Sequence, residues 1–180
     1  MQSTVKNFLF LIPFLFLTCK KTEEPKKEIP DKNYFIMAND YYETPNAYLI
    51  PFDTLYTYAI NYLYLSDGML DTTNAIIKNY KQLLFIDLNT EISDSSLQGE
   101  FTMINEGREA QTFYSAKIII AELGTQLIAK NGRITFEDKD SLIRIDYNFT
   151  FPDNSIISGN YEGEIKVKRI DLKKQELILQ

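Results

Sequence analysis

Hydrophobic and polar residues alternate with a period of two along most of this chain, most clearly near its end. In residues 142–151, Ile143, Ile145, Tyr147, Phe149 and Phe151 fall on one side, and Leu142, Arg144, Asp146, Asn148 and Thr150 on the other. Successive side chains of an extended strand point to opposite faces, so this run predicts a strand with one buried and one wet face. Pro152-Asp153-Asn154-Ser155 supplies the turn after it. Further strands are predicted over residues 34–37, 47–50, 82–88, 99–104, 112–121, 125–129, 133–137, 156–161 and 164–170, all rich in β-branched or aromatic residues. Pro51 ends the second of these or marks it as an edge. Asn131-Gly132 predicts a tight hairpin turn, because this pair accepts positive φ at both central positions. Residues 66–81 are irregular, with a turn at Asp67-Gly68 and a helical turn or loop over 74–80. The tail, residues 171–180, offers Leu177-Ile178-Leu179 as a last strand. About nine or ten short strands at hairpin spacing predict an all-β fold, an antiparallel sandwich or a partly closed barrel.

The longest aromatic stretch, residues 55–65, reads as one central strand. Tyr56, Tyr58, Tyr62 and Tyr64 share a face with Ile60, while Asn61, Leu63 and Leu65 share the other. A row of tyrosines on a sheet forms a platform able to stack on sugar rings, with the hydroxyls fixing orientation. The same row also suits a core face whose hydroxyls reach the rim. The chain has no tryptophan, the largest stacking surface.

The first residues follow another pattern. An apolar run from Phe8 to Leu17 is preceded by Lys6 and followed by Thr18, Cys19 and the charged stretch Lys20-Lys21-Thr22-Glu23-Glu24-Pro25-Lys26-Lys27-Glu28. At about ten residues the run has the length of a signal-peptide core and falls short of the roughly 20 that a membrane span needs. Leu15-Phe16-Leu17-Thr18-Cys19 resembles the lipobox of bacterial lipoproteins, although Phe16 and Thr18 stand where that pattern usually has Leu and a small residue. The resemblance implies that residues 1–18 are a signal peptide, removed to leave Cys19 lipidated at the new amino terminus. Several acyl chains, each buried methylene worth about 0.8 kcal/mol, would hold the protein on the outer membrane without spanning it. Lys20-Lys21-Thr22-Glu23-Glu24 resembles the export signals of Bacteroidetes surface lipoproteins, which implies exposure at the cell surface rather than toward the periplasm. Residues 19–32 are polar, charged and proline-bearing and read as a disordered tether. Residues 33–180 are left as a single all-β domain. Its stretch from Gly132 to Glu164, ending in Gly159-Asn160-Tyr161-Glu162-Gly163, resembles the C-terminal half of small Bacteroidetes lipoproteins. Asp53-Thr54-Leu55, Asp71-Thr72-Thr73 and Asp140-Ser141-Leu142 resemble the O-glycosylation sites of the same bacteria.

Composition removes whole classes of chemistry. The chain has no histidine and a single cysteine, which lipidation would consume, so Ser-His-Asp and Cys-His nucleophiles and ordinary zinc sites are excluded. A net charge of −6, one unit more negative once Lys6 is removed, argues against nucleic acid. No glycine-rich phosphate loop is present, and no cofactor is implied. Glu137-Asp138-Lys139-Asp140 and Asp87 are rich in hard oxygen donors but lack the spacing of a calcium loop, and the first group reads as a solvated hairpin turn. The resulting expectation is a non-catalytic envelope lipoprotein that binds a glycan, an amphiphile or another envelope protein. A structural component of an outer-membrane complex and a carboxylate-dependent glycoside hydrolase stand as alternatives.

Overall fold

The structure, a computed structural model, describes residues 30–55, 57–74, 76–92 and 97–168. Among them the chain forms fourteen strands. In order these are β1 (Tyr34–Met37), β2 (Asp40–Glu43), β3 (Asn46–Leu55), β4 (Tyr58–Ser66), β5 (Met69–Asp71), β6 (Ile76–Lys78) and β7 (Gln82–Glu91). There follow β8 (Gly99–Met103), β9 (Thr112–Ile120), β10 (Thr125–Ile128), β11 (Asn131–Lys139), β12 (Leu142–Thr150), β13 (Ile156–Gly163) and β14 (Ile165–Val167). Among the described residues no helix is long and apolar enough to cross a membrane. The fold is all-β, as the alternation predicts.

Twelve strands form one sheet in the order β14-β3-β4-β7-β9-β8-β11-β12-β13-β1-β2, with β10 added beside β9. The sheet curls into a half-barrel, the second of the two architectures expected from the sequence. Its two ends are joined by the chain itself. β13 lies beside β12, and after Glu164 the same chain continues as β14, which pairs with β3 at Ala47, Tyr48 and Leu49. Two of the pairings are parallel, β14 with β3 and β8 with β9, so the sheet is mixed rather than purely antiparallel.

The core fills the inside of the curl. Phe101, Phe113, Phe136, Phe149 and Phe151 meet Leu63, Leu65, Leu84, Ile86, Ile118, Ile134 and Ile145 there, all essentially out of water. Phe113 packs edge-on to Phe149 at 5.8 Å between centroids, and Phe101 to Phe136 at 5.1 Å. Two glycines make room for these rings. Gly132 lies opposite Phe149, and Gly159 opposite Tyr147. A Cβ at Gly132 would come within 2.5 Å of Phe149 Cδ1, and one at Gly159 within 2.6 Å of the Tyr147 hydroxyl. Each ring lies over the bare backbone of the next strand, a close approach that only glycine permits.

Four local expectations are corrected. Residues 55–65 are not one strand: the chain reverses so that Leu55 pairs with Tyr58, joining β3 to β4. The preceding strand does not end at Pro51 but runs through it to Leu55, on the side of β3 that β14 leaves open, where no donor is needed. Asn131-Gly132 is not a turn but the start of β11, where Gly132 serves the Phe149 ring and has no positive φ. The real turn lies earlier, at residues 121–124, where Gly124 has φ 59° and its N–H donates to Ala121 O at 3.1 Å. Finally, residues 74–80 contribute β6, which with β5 forms a separate two-stranded hairpin. The predicted last strand at 177–179 lies outside the described residues, as do the signal segment and Cys19.

Candidate functional site

Alternation along β4 sends Asn61, Leu63 and Leu65 inward and Tyr58, Ile60, Tyr62 and Tyr64 to the outer face of the barrel. Tyr56 lies outside the described residues. The three described tyrosines meet different surroundings. Tyr64 sits under the β5–β6 hairpin, in a small second core with Tyr48, Leu83, Ile77, Leu70 and Ile119. Burial, with Tyr62 beside it, pushes its hydroxyl up to about 12. Tyr62 and Tyr58 lie beyond the hairpin and keep partial contact with water.

Around Tyr62 a band of side chains crosses four adjacent strands. Phe52 of β3 stacks on Tyr62 at 4.7 Å, and Tyr62 leans on Phe85 of β7 at 5.3 Å. Asp87, the cross-strand neighbour of Tyr62, lies next to it. Tyr114 of β9 closes the far side. Three inter-strand steps of roughly 4.8 Å give the band a width of about 14 Å.

Two backbone irregularities present its outer rings. Pro51 pairs with Asn61 and Asp53 with Ile60, which leaves Phe52 as the extra residue of a bulge. On β9, Ser115 pairs with Asp87 and Phe113 with Leu88, which leaves Tyr114 as the extra residue of a second bulge. A bulge re-aims the side chain it carries, and here both carry exposed aromatics, Phe52 at 39% and Tyr114 at 44% of full exposure.

Arg108 sits between them and comes from neither strand. β8 and β9 overlap in parallel only at Thr102–Thr112 and Met103–Phe113, so residues 104–111 make a short excursion over the outer face. Arg108 Nη1 donates to Asp87 Oδ1 at 2.9 Å and Nη2 to Asp87 Oδ2 at 2.8 Å. Nη1 also donates to Asn89 Oδ1 at 2.9 Å, and the guanidinium lies over the Tyr114 ring at 4.7 Å. Asn89 is fully buried and donates from Nδ2 to Thr112 Oγ1, which donates in turn to Glu109 O. The excursion and its arginine are therefore held from below by a buried polar chain. The carboxylate of Asp87 raises the Arg108 pKa. Partial burial raises that of the Tyr62 hydroxyl, with Asp87 and Asp53 adding to the shift and Arg108 opposing it.

Concavities lie elsewhere, one of them about 410 Å³ between β2, the start of β7 and the end of β9. A groove of about 430 Å³ over β11 and β12 is lined by Thr102, Asn131, Arg133, Asn148 and Thr150, and a neighbouring one of about 330 Å³ shares Arg133 and Asn148. Both are open grooves, and neither combines exposed aromatic rings with a fixed cation as the band around Arg108 does. Stacking on a flat ring face needs no deep cavity, so the aromatic band is the stronger site. Glu137, Asp138 and Lys139 end β11 rather than forming a turn, Asp140 alone of that group stands in the exposed β11–β12 turn, and Asp87 is occupied by Arg108. Among the described residues no three His, Cys, Asp or Glu gather to hold a metal. Thr54, Thr72 and Ser141 are all exposed.

Reading the sequence alone picks out Tyr58, Tyr62 and Tyr64 but misses Phe52, Tyr114 and Arg108. Bulges leave no compositional mark, and an arginine in a polar loop carries no signal of its partner. No family model, no curated protein and no solved structure matches this chain.

Proposed function

We propose that this protein is a lipid-anchored, non-catalytic binding protein of the bacterial cell envelope. Cys19 carries the lipid and holds it to the outer membrane, facing the cell surface, and the aromatic band around Tyr62 is its contact surface. The anchor rests on the apolar run before Cys19 and the charged residues after it. The observation that carries the binding half is the pair of bulged, exposed aromatics, Phe52 and Tyr114, flanking an arginine fixed by Asp87 and Asn89. A fold has no structural need to turn two large rings outward beside a half-buried ion pair. A rigid surface of rings and fixed donors does suit recognition, because little freedom is lost on binding.

The test is made in living cells of the source bacterium with the full-length chain. Benzoylphenylalanine is placed at position 52, 114 or 135 and irradiated, while an alkyne-tagged palmitate reports acylation. We expect adducts from 52 and 114 but not from 135, and an acyl label that Cys19→Ala abolishes. Uniform adducts at all three positions would remove the binding face, and an unlabelled wild-type chain would remove the anchor.

A further inference from the structure

Arg108 has donors left over. A guanidinium carries five N–H groups, and three are used, two on Asp87 and one on Asn89. The remaining two, Nε–H and the second Nη2–H, share one edge of the plane and meet no acceptor among the described residues. Such an edge is a rigid fork that fits two adjacent oxygens. The side chain retains 23% exposure, so the fork is not sealed in the core.

The charge around the fork says which oxygens suit it. Arg108 is already neutralised by Asp87. The ionisable groups on the same outer face of the adjoining strands are Asp53 on β3, Glu91 on β7 and Lys117 on β9, with Tyr58 and Tyr62 on β4. Together with the Arg108–Asp87 pair, these groups carry one net negative charge, on a chain of net charge −6. An anionic ligand would meet an occupied cation and surplus carboxylates, whereas a neutral ligand with two neighbouring hydroxyls meets no penalty. The rings on either side offer flat apolar faces about the size of a pyranose C–H face.

We infer that the band takes a neutral oligosaccharide, whose ring faces lie on Phe52 and Tyr114 and whose adjacent hydroxyl oxygens accept from the unused edge of Arg108. This inference rests on the binding face proposed above and names the class of its ligand. The face of Phe52 turned away from Tyr62 is the platform at one end, and the face of Tyr114 turned away from Arg108 the platform at the other. Asp87 and Asn89 touch no ligand; they position Arg108.

Isothermal titration of the full-length chain in detergent micelles tests this with cello-, malto-, xylo- and mannohexaose, and with hexagalacturonate as the acidic counterpart. At least one neutral hexasaccharide should bind, with affinity falling tenfold or more in Arg108→Lys, which keeps the charge but loses the fork. Phe52→Ala and Tyr114→Ala remove exposed rings, should leave the melting temperature within about 2 °C of wild type, and should each weaken binding at least fivefold. Preference for hexagalacturonate over every neutral sugar overturns the inference. So does affinity unchanged in Arg108→Lys, or no saccharide binding at all. In that last case, position-specific cross-links persisting at 52 and 114 mean that only the ligand class is wrong, and their loss removes the binding face as well.

Discussion

Replacing Arg108 with alanine strands the Asp87 carboxylate, whose side chain is only 11% exposed, between Tyr62 and Ser115. Removing one partner of a largely buried pair leaves a charge without compensation, and we expect a loss of about 2–3 kcal/mol in urea denaturation. Arg108→Lys should lose about half of that, because an ammonium restores the charge but cannot reach Asp87 and Asn89 together. Gly159→Ala acts through space instead. Its methyl would meet the Tyr147 hydroxyl at 2.6 Å and the Tyr34 carbonyl oxygen, and neither is a flexible tip: the hydroxyl is held to Tyr34 O at 3.2 Å. We expect about 1–3 kcal/mol of destabilisation, read as a shifted denaturation midpoint with unchanged slope. Both residues show where reading the sequence stops. Alternation identifies Tyr147 and Phe149 as core, since that depends only on near neighbours. The role of Gly159 depends on a ring in another strand, and that of Arg108 on a carboxylate in another strand.

The β5–β6 hairpin is a lid over Tyr48, Tyr64 and Leu83, pinned at its neck by Asp67, which accepts from Lys81 N at 2.9 Å and Gln82 N at 3.1 Å. Tyr64 reports on it. In the folded chain its hydroxyl titrates at about 12, above the ordinary value near 10. A raised acid means that the fold favours the neutral phenol, so this contribution is complete below pH of about 10 and is lost as pH rises through about 12. In Ile77→Asp the hairpin should lift, and absorbance titration of tyrosinate should show one group moving down toward about 10. Asp71 tests the other end of the pH scale. Its carboxylate is held to Lys78, Thr73 N and Asn74, which lower its pKa to about 2. That contribution is present above the unfolded value near 4 and lost as pH falls through about 2, so amide exchange at Ile76–Lys78 should quicken only in strong acid. Most strand positions were legible, β1 and β12 nearly to the residue, because half-buried strands write their alternation into the chain. The β3–β4 reversal was not, because no Gly, Pro or Asn marks it between Leu55 and Tyr58. β6 was not either, because three residues are too few for a period to appear.

At the scale of the molecule, the crossing from β13 to β14 decides whether the sheet is open or closed. Tyr161 holds the corner by donating to Glu164 O at 2.8 Å, and Lys168 N reaches Leu49 O at 2.8 Å on the far side. A chain ending at Gly163 would leave the whole outer edge of β3 unpaired. We expect its melting temperature to fall by roughly 5–10 °C, with a tendency to associate through that edge, visible by light scattering. The sequence offered a strand at this place but no hint that it would pair in parallel with one near the other end of the domain.

That seam also sets the order of events during folding. Asn33 bonds to Asn160 and Glu162 across 127 and 129 residues, and β3 waits for β14 over a similar distance. Contacts so remote must bear the entropy of closing a long loop before they return any stability, which slows the final step. A ribosome releases the early strands first, and they cannot complete their pairing until the end of the domain has emerged. A chain delivered from its amino terminus therefore carries β1 and β3 each with one edge unfilled until delivery is nearly complete.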